Sequence, residues 1–172
     1  MLAAHVRSSL PQENPMNTSS TNADNFDLPT DFYPDLCRTI NGRRILCVEE
    51  NECVRNKICS VLVKQGWDCE SAVRGHDALQ TLISCPQSID ILITKHRLPE
   101  MNGTEFVRRV RARTIFTGKI LVRSKKLRRK EQAAYKELEV DAFVPNSGST
   151  KSILKAVEEL HADKHLNIQG KQ

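Results

Sequence analysis

The sequence predicts an α/β fold, a doubly wound parallel sheet, on three observations. Short apolar runs alternate five times with segments whose apolar residues recur at three- and four-residue spacing. The connections between them are too short for anything but right-handed crossovers. The third run, Ile89-Asp90-Ile91-Leu92-Ile93-Thr94-Lys95, is continuous and β-branched, and passes through a polar turn to Pro99 and Gly103. It reads as a strand buried on both faces and ending in a loop. Ligands of open parallel sheets sit just beyond the carboxyl ends of such strands, so Lys95 and its neighbours are the first candidates for function.

Residues 1–40 are rich in Asn, Ser, Thr, Pro and Asp and lack periodicity, as expected of a disordered arm that cannot bury enough apolar area to offset its ordering entropy. Phe32, Tyr33 and Leu36 form a small apolar patch within it. Met16 is an alternative start to Met1. The folded domain is expected over residues 43–161. Arg44 to Val48 is a short buried strand, with Glu49, Glu50 and Asn51 at its carboxyl end. Val54, Ile58, Val61 and Leu62 mark one face of a helix over 52–65, stopped by Gly66. Residues 67–73 alternate as a second strand, and Gly75 turns into a helix carrying Ala78, Leu79, Leu82 and Ile83. After the third strand, Phe106, Val107 and Val110 mark a helix ending near Arg113. Residues 119–123 form a fourth strand, and a basic turn leads into a helix to Leu138. Ala142, Phe143 and Val144 make the fifth strand. Ser149 or Thr150 caps a last helix bearing Ile153, Leu154, Val157 and Leu160. Residues 162–172 are expected to be a short flexible tail.

The chain has 172 residues, 39% of them hydrophobic, and a mean hydropathy of −0.45, which suits a soluble domain. No apolar run reaches the roughly 18–20 residues a membrane span needs, so no membrane partner is expected. The segment around Arg7, Ser8 and Ser9 is too weakly apolar for a secretory signal and gives thin support to a transit peptide. The six cysteines, at 37, 47, 53, 59, 69 and 85, contain no Cys-x-x-Cys pair. They are expected to be reduced, buried thiols of a cytoplasmic protein, with no metal and no cofactor.

Several motifs in one order resemble the receiver domains of two-component response regulators, over residues 43–161. These are the acidic pair Glu49-Glu50, then Gly66-Trp67, Ala72, Gly75 and Ala78-Leu79. Asp90 follows at the strand entrance, then Leu98-Pro99-x-Met101-Asn102-Gly103. Ser124 falls at the family's switch Ser/Thr position and Phe143 at its switch aromatic. The resemblance implies a flavodoxin-like sheet order 2-1-3-4-5 and a role in phosphorelay signalling.

The pocket departs from the family. The phosphorylatable Asp lies four residues before the loop Pro, which here is Lys95. Thr94 and His96, one residue to either side, cannot form an acyl phosphate, and His96 reads as an exposed loop residue. The family's lysine after the fifth strand corresponds to Asn146, or to Val144 if Pro145 is taken as the proline that follows it, and neither is a lysine. A working receiver gathers three carboxylates, a lysine and a divalent metal; here two Glu face one Lys. A Lys95 ammonium reaching Glu49 or Glu50 would take the place of the metal, with an attraction of about 4 kcal/mol at ~4 Å and an effective dielectric near ~20, before desolvation. The alternatives are that Glu49 and Glu50 are solvated loop residues that bind nothing and that Ser124 is an ordinary polar residue at a strand end.

Residues 105–130 carry eleven Lys and Arg against the single acid Glu105, so that stretch holds +10 and the rest −5 in a chain of net +5. Such asymmetry concerns partners rather than fold. Arg123, Lys125, Lys126, Arg128, Arg129 and Lys130, with Phe143, are therefore candidates for a partner-binding face. Two functions compete. One is a non-enzymatic signalling or adaptor module of phosphorelay type, not phosphorylated, that binds a protein partner, an acidic one such as a histidine kinase or an output protein. The other is a polyanion or nucleic-acid binder, for which stacking aromatics are sparse, with Phe116 and Tyr135 the candidates.

Overall fold

The computed structural model describes residues 43–146 and 149–169, so the expected arm over 1–40 lies outside the described residues. Within them the chain alternates strictly. Its elements are β1 (Arg44–Val48), α1 (Glu52–Lys64), β2 (Asp68–Ala72), α2 (Gly75–Ser84), β3 (Ile91–Lys95), α3 (Gly103–Arg113), β4 (Lys119–Ser124), α4 (Arg129–Glu137), β5 (Ala142–Pro145) and α5 (Thr150–Gln169). The five strands pair in parallel in the order β2-β1-β3-β4-β5, as the resemblance implied. α5 runs past residue 161, so most of the expected tail is helical backbone.

Strand alternation sends successive residues to opposite faces of the sheet, and the two faces have separate cores. Leu46, Val48, Leu92, Ile120 and Val122 pack with Ala78 and Leu82 of α2, Phe106, Val107 and Val110 of α3, and Tyr135 of α4. Ile45, Cys47, Ile91, Ile93 and Leu121 pack with Ile58 and Leu62 of α1 and Ile153, Val157 and Leu160 of α5. Each fully buried aliphatic or aromatic side chain contributes about 1.5–3 kcal/mol by leaving water.

Local signals set the loops at the sheet's carboxyl edge. Asn51 caps α1 by accepting from Val54 N at 3.0 Å, and Asn102 caps α3 by accepting from Glu105 N at 2.8 Å. Gly66, at φ 81°, ends α1 in the left-handed conformation that the sequence reading required. At Gly103 a side chain would collide with the Tyr135 hydroxyl and lie 2.8 Å from the Lys95 carbonyl oxygen, so only glycine lets the β3–α3 loop close against α4. Cys47, Cys53, Cys59 and Cys69 are free thiols. Cys85 is disulfide-bonded, against the expectation of a fully reduced set.

Candidate functional site

The pocket is assembled by strand phase. Glu49 continues the Ile45–Cys47 side of β1, Lys95 the Ile91–Ile93 side of β3, Arg123 the Leu121 side of β4 and Asn146 the Ala142–Val144 side of β5. In register Lys95 lies directly opposite Arg123 on the neighbouring strand. All four side chains therefore meet at the carboxyl edge of one face of the sheet, beyond the core under α1 and α5.

Glu49 is the hub, with a side chain only 1% exposed. Its Oε2 accepts from Arg123 Nη1 at 2.8 Å, and its Oε1 accepts from Lys95 Nζ at 3.4 Å and from Asn51 N at 3.1 Å. Lys95 Nζ also donates to Glu50 Oε1 in a short hydrogen bond. Arg123 Nη2 donates to Asn146 Oδ1 at 3.0 Å. Arg55, from α1, donates to the Glu49 carbonyl at 2.9 Å and holds the acidic loop from behind.

Arg123 corrects the sequence reading. It was expected on an exposed basic face, but its side chain is 2% exposed and its charge belongs to the pocket. Two carboxylates thus face two cations, where the sequence suggested two facing one. A buried guanidinium forms directed bonds to a carboxylate and an amide at once, which an ammonium cannot match. Burial is the largest single influence on the Glu50 carboxyl and pushes it up, but the hydrogen bond and charge of Lys95, with hydrogen bonds from its own backbone and to Glu49, together outweigh burial and hold that carboxyl below its usual range. For Lys95, burial pushes the ammonium down, while the hydrogen bond to Glu50 and the charge on Glu49 raise it above its usual value. The two directions agree: the Lys95–Glu50 pair is ionised and each partner favours the other's charge. Glu49 and Glu50 are accordingly engaged pocket residues, and the solvated-loop alternative is set aside.

His96 is a second correction. It is buried, with Nδ1 2.9 Å from the Tyr135 hydroxyl and Nε2 3.4 Å from Glu131 Oε1. It therefore ties the β3–α3 loop to α4. Tyr135 packs edge-on against Phe143, with ring centroids 5.5 Å apart, and Phe143 itself remains 47% exposed on β5. Ser124 ends β4 half-buried, and its carbonyl accepts from Asn146 N at 3.0 Å. Asp90, at the entrance of β3, accepts from Arg44 N at 2.9 Å through its side chain, well away from the pocket.

The basic stretch divides. Arg108 and Arg109 both bond Glu105 at 2.8 Å, Lys119 bonds Asp141 at 2.8 Å, and Arg111 donates to the carbonyls of Leu138, Phe116 and Glu139. Lys125, Lys126, Arg129 and Lys130 are exposed and engage no partner among the described residues. Arg128 reaches Glu131 only at 3.9 Å. α4 begins at Arg129, and Glu131 accepts from Arg128 N at 2.6 Å, which places an acid at the helix start. Beside these cations a groove runs between the β4–α4 loop and β5, lined by Ser124, Lys125, Lys126, Leu127, Gln132, Phe143, Val144 and Pro145.

A five-stranded doubly wound sheet of this order, with an acidic loop after β1 and a Pro/Gly loop after β3, defines a flavodoxin-like fold. The chain belongs to the response regulator receiver domain family, whose model matches residues 45–158. It is 31% identical over 74 residues to the transcriptional regulatory protein TrcR of Mycobacterium tuberculosis, covering 43% of this chain and 28% of that protein. It is 34% identical over 71 residues to the probable histidine kinase 4 of Oryza sativa subsp. japonica, covering 41% of this chain and 7% of that protein. The matched stretch is thus a minor part of each relative. Among solved structures, the Vibrio cholerae chemotaxis protein CheY4 superimposes with a TM-score of 0.63 at 21% identity, covering 69% of this chain and 98% of its own. A receiver protein from Pseudomonas putida does so with a TM-score of 0.61 at 22% identity, covering 68% and 96%. Among the described residues no helix is long and apolar enough to cross a membrane.

Proposed function

We propose that this receiver is a non-enzymatic adaptor of phosphorelay type that binds a protein partner without being phosphorylated. The carrying observation is Lys95 at the phosphoacceptor position, bonded to both Glu49 and Glu50. An ammonium has no lone pair with which to accept a phosphoryl group, and the family's lysine is replaced by Asn146, whose side chain is bonded to Arg123. The donor set does not fit a divalent metal either. Both oxygens of Glu49 are engaged by protein cations, and a hard cation would have to displace two charged side chains to reach carboxylate oxygens. Binding is assigned to the groove by Phe143 and the exposed cations from Lys125 to Lys130, which suit an acidic protein surface. The reading places the protein in the cytoplasm.

The test is an amide NMR titration with magnesium and beryllium fluoride. No perturbation is expected at Glu49, Glu50, Ser124 or Asn146; magnesium-dependent shifts at these amides would overturn the proposal. The unpartnered cations also favour a polyanion ligand. Binding to a generic duplex that falls steeply with salt would decide for that reading.

A further inference from the structure

Away from the pocket, three thiols converge on the face of the sheet that α1 covers. In register Cys69 lies opposite Ile45, and Cys47 follows Ile45 by two residues on the same strand, so both sulfurs point to that face. α1 places Cys59 against them, one residue after the buried Ile58. The Sγ atoms of Cys59 and Cys69 are 2.7 Å apart, far inside the separation of two unbonded sulfurs and short of the roughly 2.0 Å of a disulfide. Both residues are partly exposed, whereas Cys47 is fully buried beneath them.

The three thiols are not equivalent. Hydrogen bonds from Cys47 and Cys69 hold the Cys59 thiol down to about 4 against the effect of burial, with the charge of Arg55 adding to the shift. The hydrogen bonds to Cys59, together with burial, push Cys47 and Cys69 up. Cys59 is therefore the one of the three that ionises most readily, and it lies against Cys69 where both residues are partly exposed. A stabilised, accessible thiolate beside a second thiol is the arrangement that peroxides oxidise selectively.

We propose that Cys59 and Cys69 are a reversible dithiol–disulfide pair whose substrate is a peroxide. The Cys59 thiolate attacks the terminal peroxide oxygen; an S–O bond forms to give the sulfenic acid, the O–O bond breaks, and the other oxygen leaves as hydroxide or alkoxide, which the buffer neutralises. The Cys69 sulfur then attacks the Cys59 sulfenic acid, forming the S–S bond and expelling the oxygen as water with the Cys69 proton. The two sulfurs are oxidised by two electrons and the peroxide is reduced by two. Thiol–disulfide exchange with a small dithiol reverses the reaction. The bond would fasten α1 to the edge strand β2 across the turn at Gly66.

The full chain, reduced and freed of reductant, is treated with hydrogen peroxide, alkylated, digested with trypsin and mapped by mass spectrometry. Cleavage after Lys57, Lys64 and Arg74 puts Cys59 and Cys69 on separate peptides. The expected product is these two peptides joined with the loss of two hydrogens, abolished by dithiothreitol, while the exposed Cys53 remains alkylated. The Cys69→Ser chain is expected to stop at a Cys59 sulfenic acid that dimedone traps. Joining of Cys59 to Cys47 or Cys53, oxidation of Cys53 ahead of Cys59, or full alkylation of Cys59 and Cys69 after peroxide would overturn the proposal. Because the wild-type map alone decides it, a variant that fails to fold does not rescue the idea.

Discussion

Arg123 and Lys125 stand two residues apart in one basic run, and the fold gives them opposite fates. Arg123 is still in β4, on the side facing the α1–α5 core, so its guanidinium is carried into the pocket against Glu49. Lys125 lies past the end of the strand, where the chain turns outward, and with Lys126, Arg129 and Lys130 it faces solvent. The first cation stabilises a buried carboxylate; the others remain available to a partner. The difference shows that a run of like charge is not a single surface. Where a strand ends inside it, the run is cut into an internal and an external part.

Removing the internal cation is the strongest way to break this contrast. Arg123→Ala leaves Glu49 buried with only the longer bond from a partly exposed ammonium, and the expected loss is about 3–5 kcal/mol of unfolding free energy by urea denaturation. Lys95→Met is expected to cost less, about 1–2 kcal/mol, because Lys95 is 19% exposed and Arg123 continues to hold Glu49. A larger loss for Lys95→Met than for Arg123→Ala would reverse the assigned roles.

The pH dependence of that second difference sharpens it. Glu50 is held below its ordinary value, so its contribution is complete above about pH 4.3 and is lost as pH falls through the depressed value. Lys95 is raised, so its contribution is complete below about pH 10.4 and is lost as pH rises through the raised value. The stability gap between wild type and Lys95→Met is therefore expected to be flat from about pH 5.5 to 9.5 and to shrink on both sides. A gap that varies across neutral pH would point to another titrating group.

The external cations are expected to give the smallest effect on stability. Replacing Arg128, Arg129 and Lys130 with Gln removes positive charge from the start of α4, where each opposes the helix dipole by about 0.3–1 kcal/mol at low salt. Thermal stability should be unchanged or slightly raised, while capture of an acidic protein partner weakens. A triple variant that melts lower and binds as before would make the cluster structural.

The strands, the helices and the acidic loop were legible because each rests on local pattern: apolar runs, three- and four-residue spacing, and a glycine that must be left-handed; the sheet order came from the family resemblance, since no local pattern orders strands. Lys95 was legible by its distance from Pro99. Arg123 was misplaced because its neighbours in sequence are basic while its partner, Glu49, lies on another strand. A signal was nonetheless present: Ile45-Cys47-Glu49, Ile91-Ile93-Lys95 and Leu121-Arg123 share one phase, so parallel pairing brings their last members together. His96 was taken as exposed for a similar reason. Its partners, Tyr135 and Glu131, lie on α4, and nothing near residue 96 in the sequence announces them.

On the proposed reading, Lys95 and Arg123 occupy the place a divalent metal takes in a phosphorylatable receiver. Calorimetric titration of magnesium into the wild type, Lys95→Asp and the double variant Lys95→Asp/Arg123→Ser tests it most directly. No binding heat is expected for the wild type, measurable binding for Lys95→Asp, and tighter binding once Arg123 also releases Glu49. A wild type that binds magnesium as tightly as either variant would contradict it.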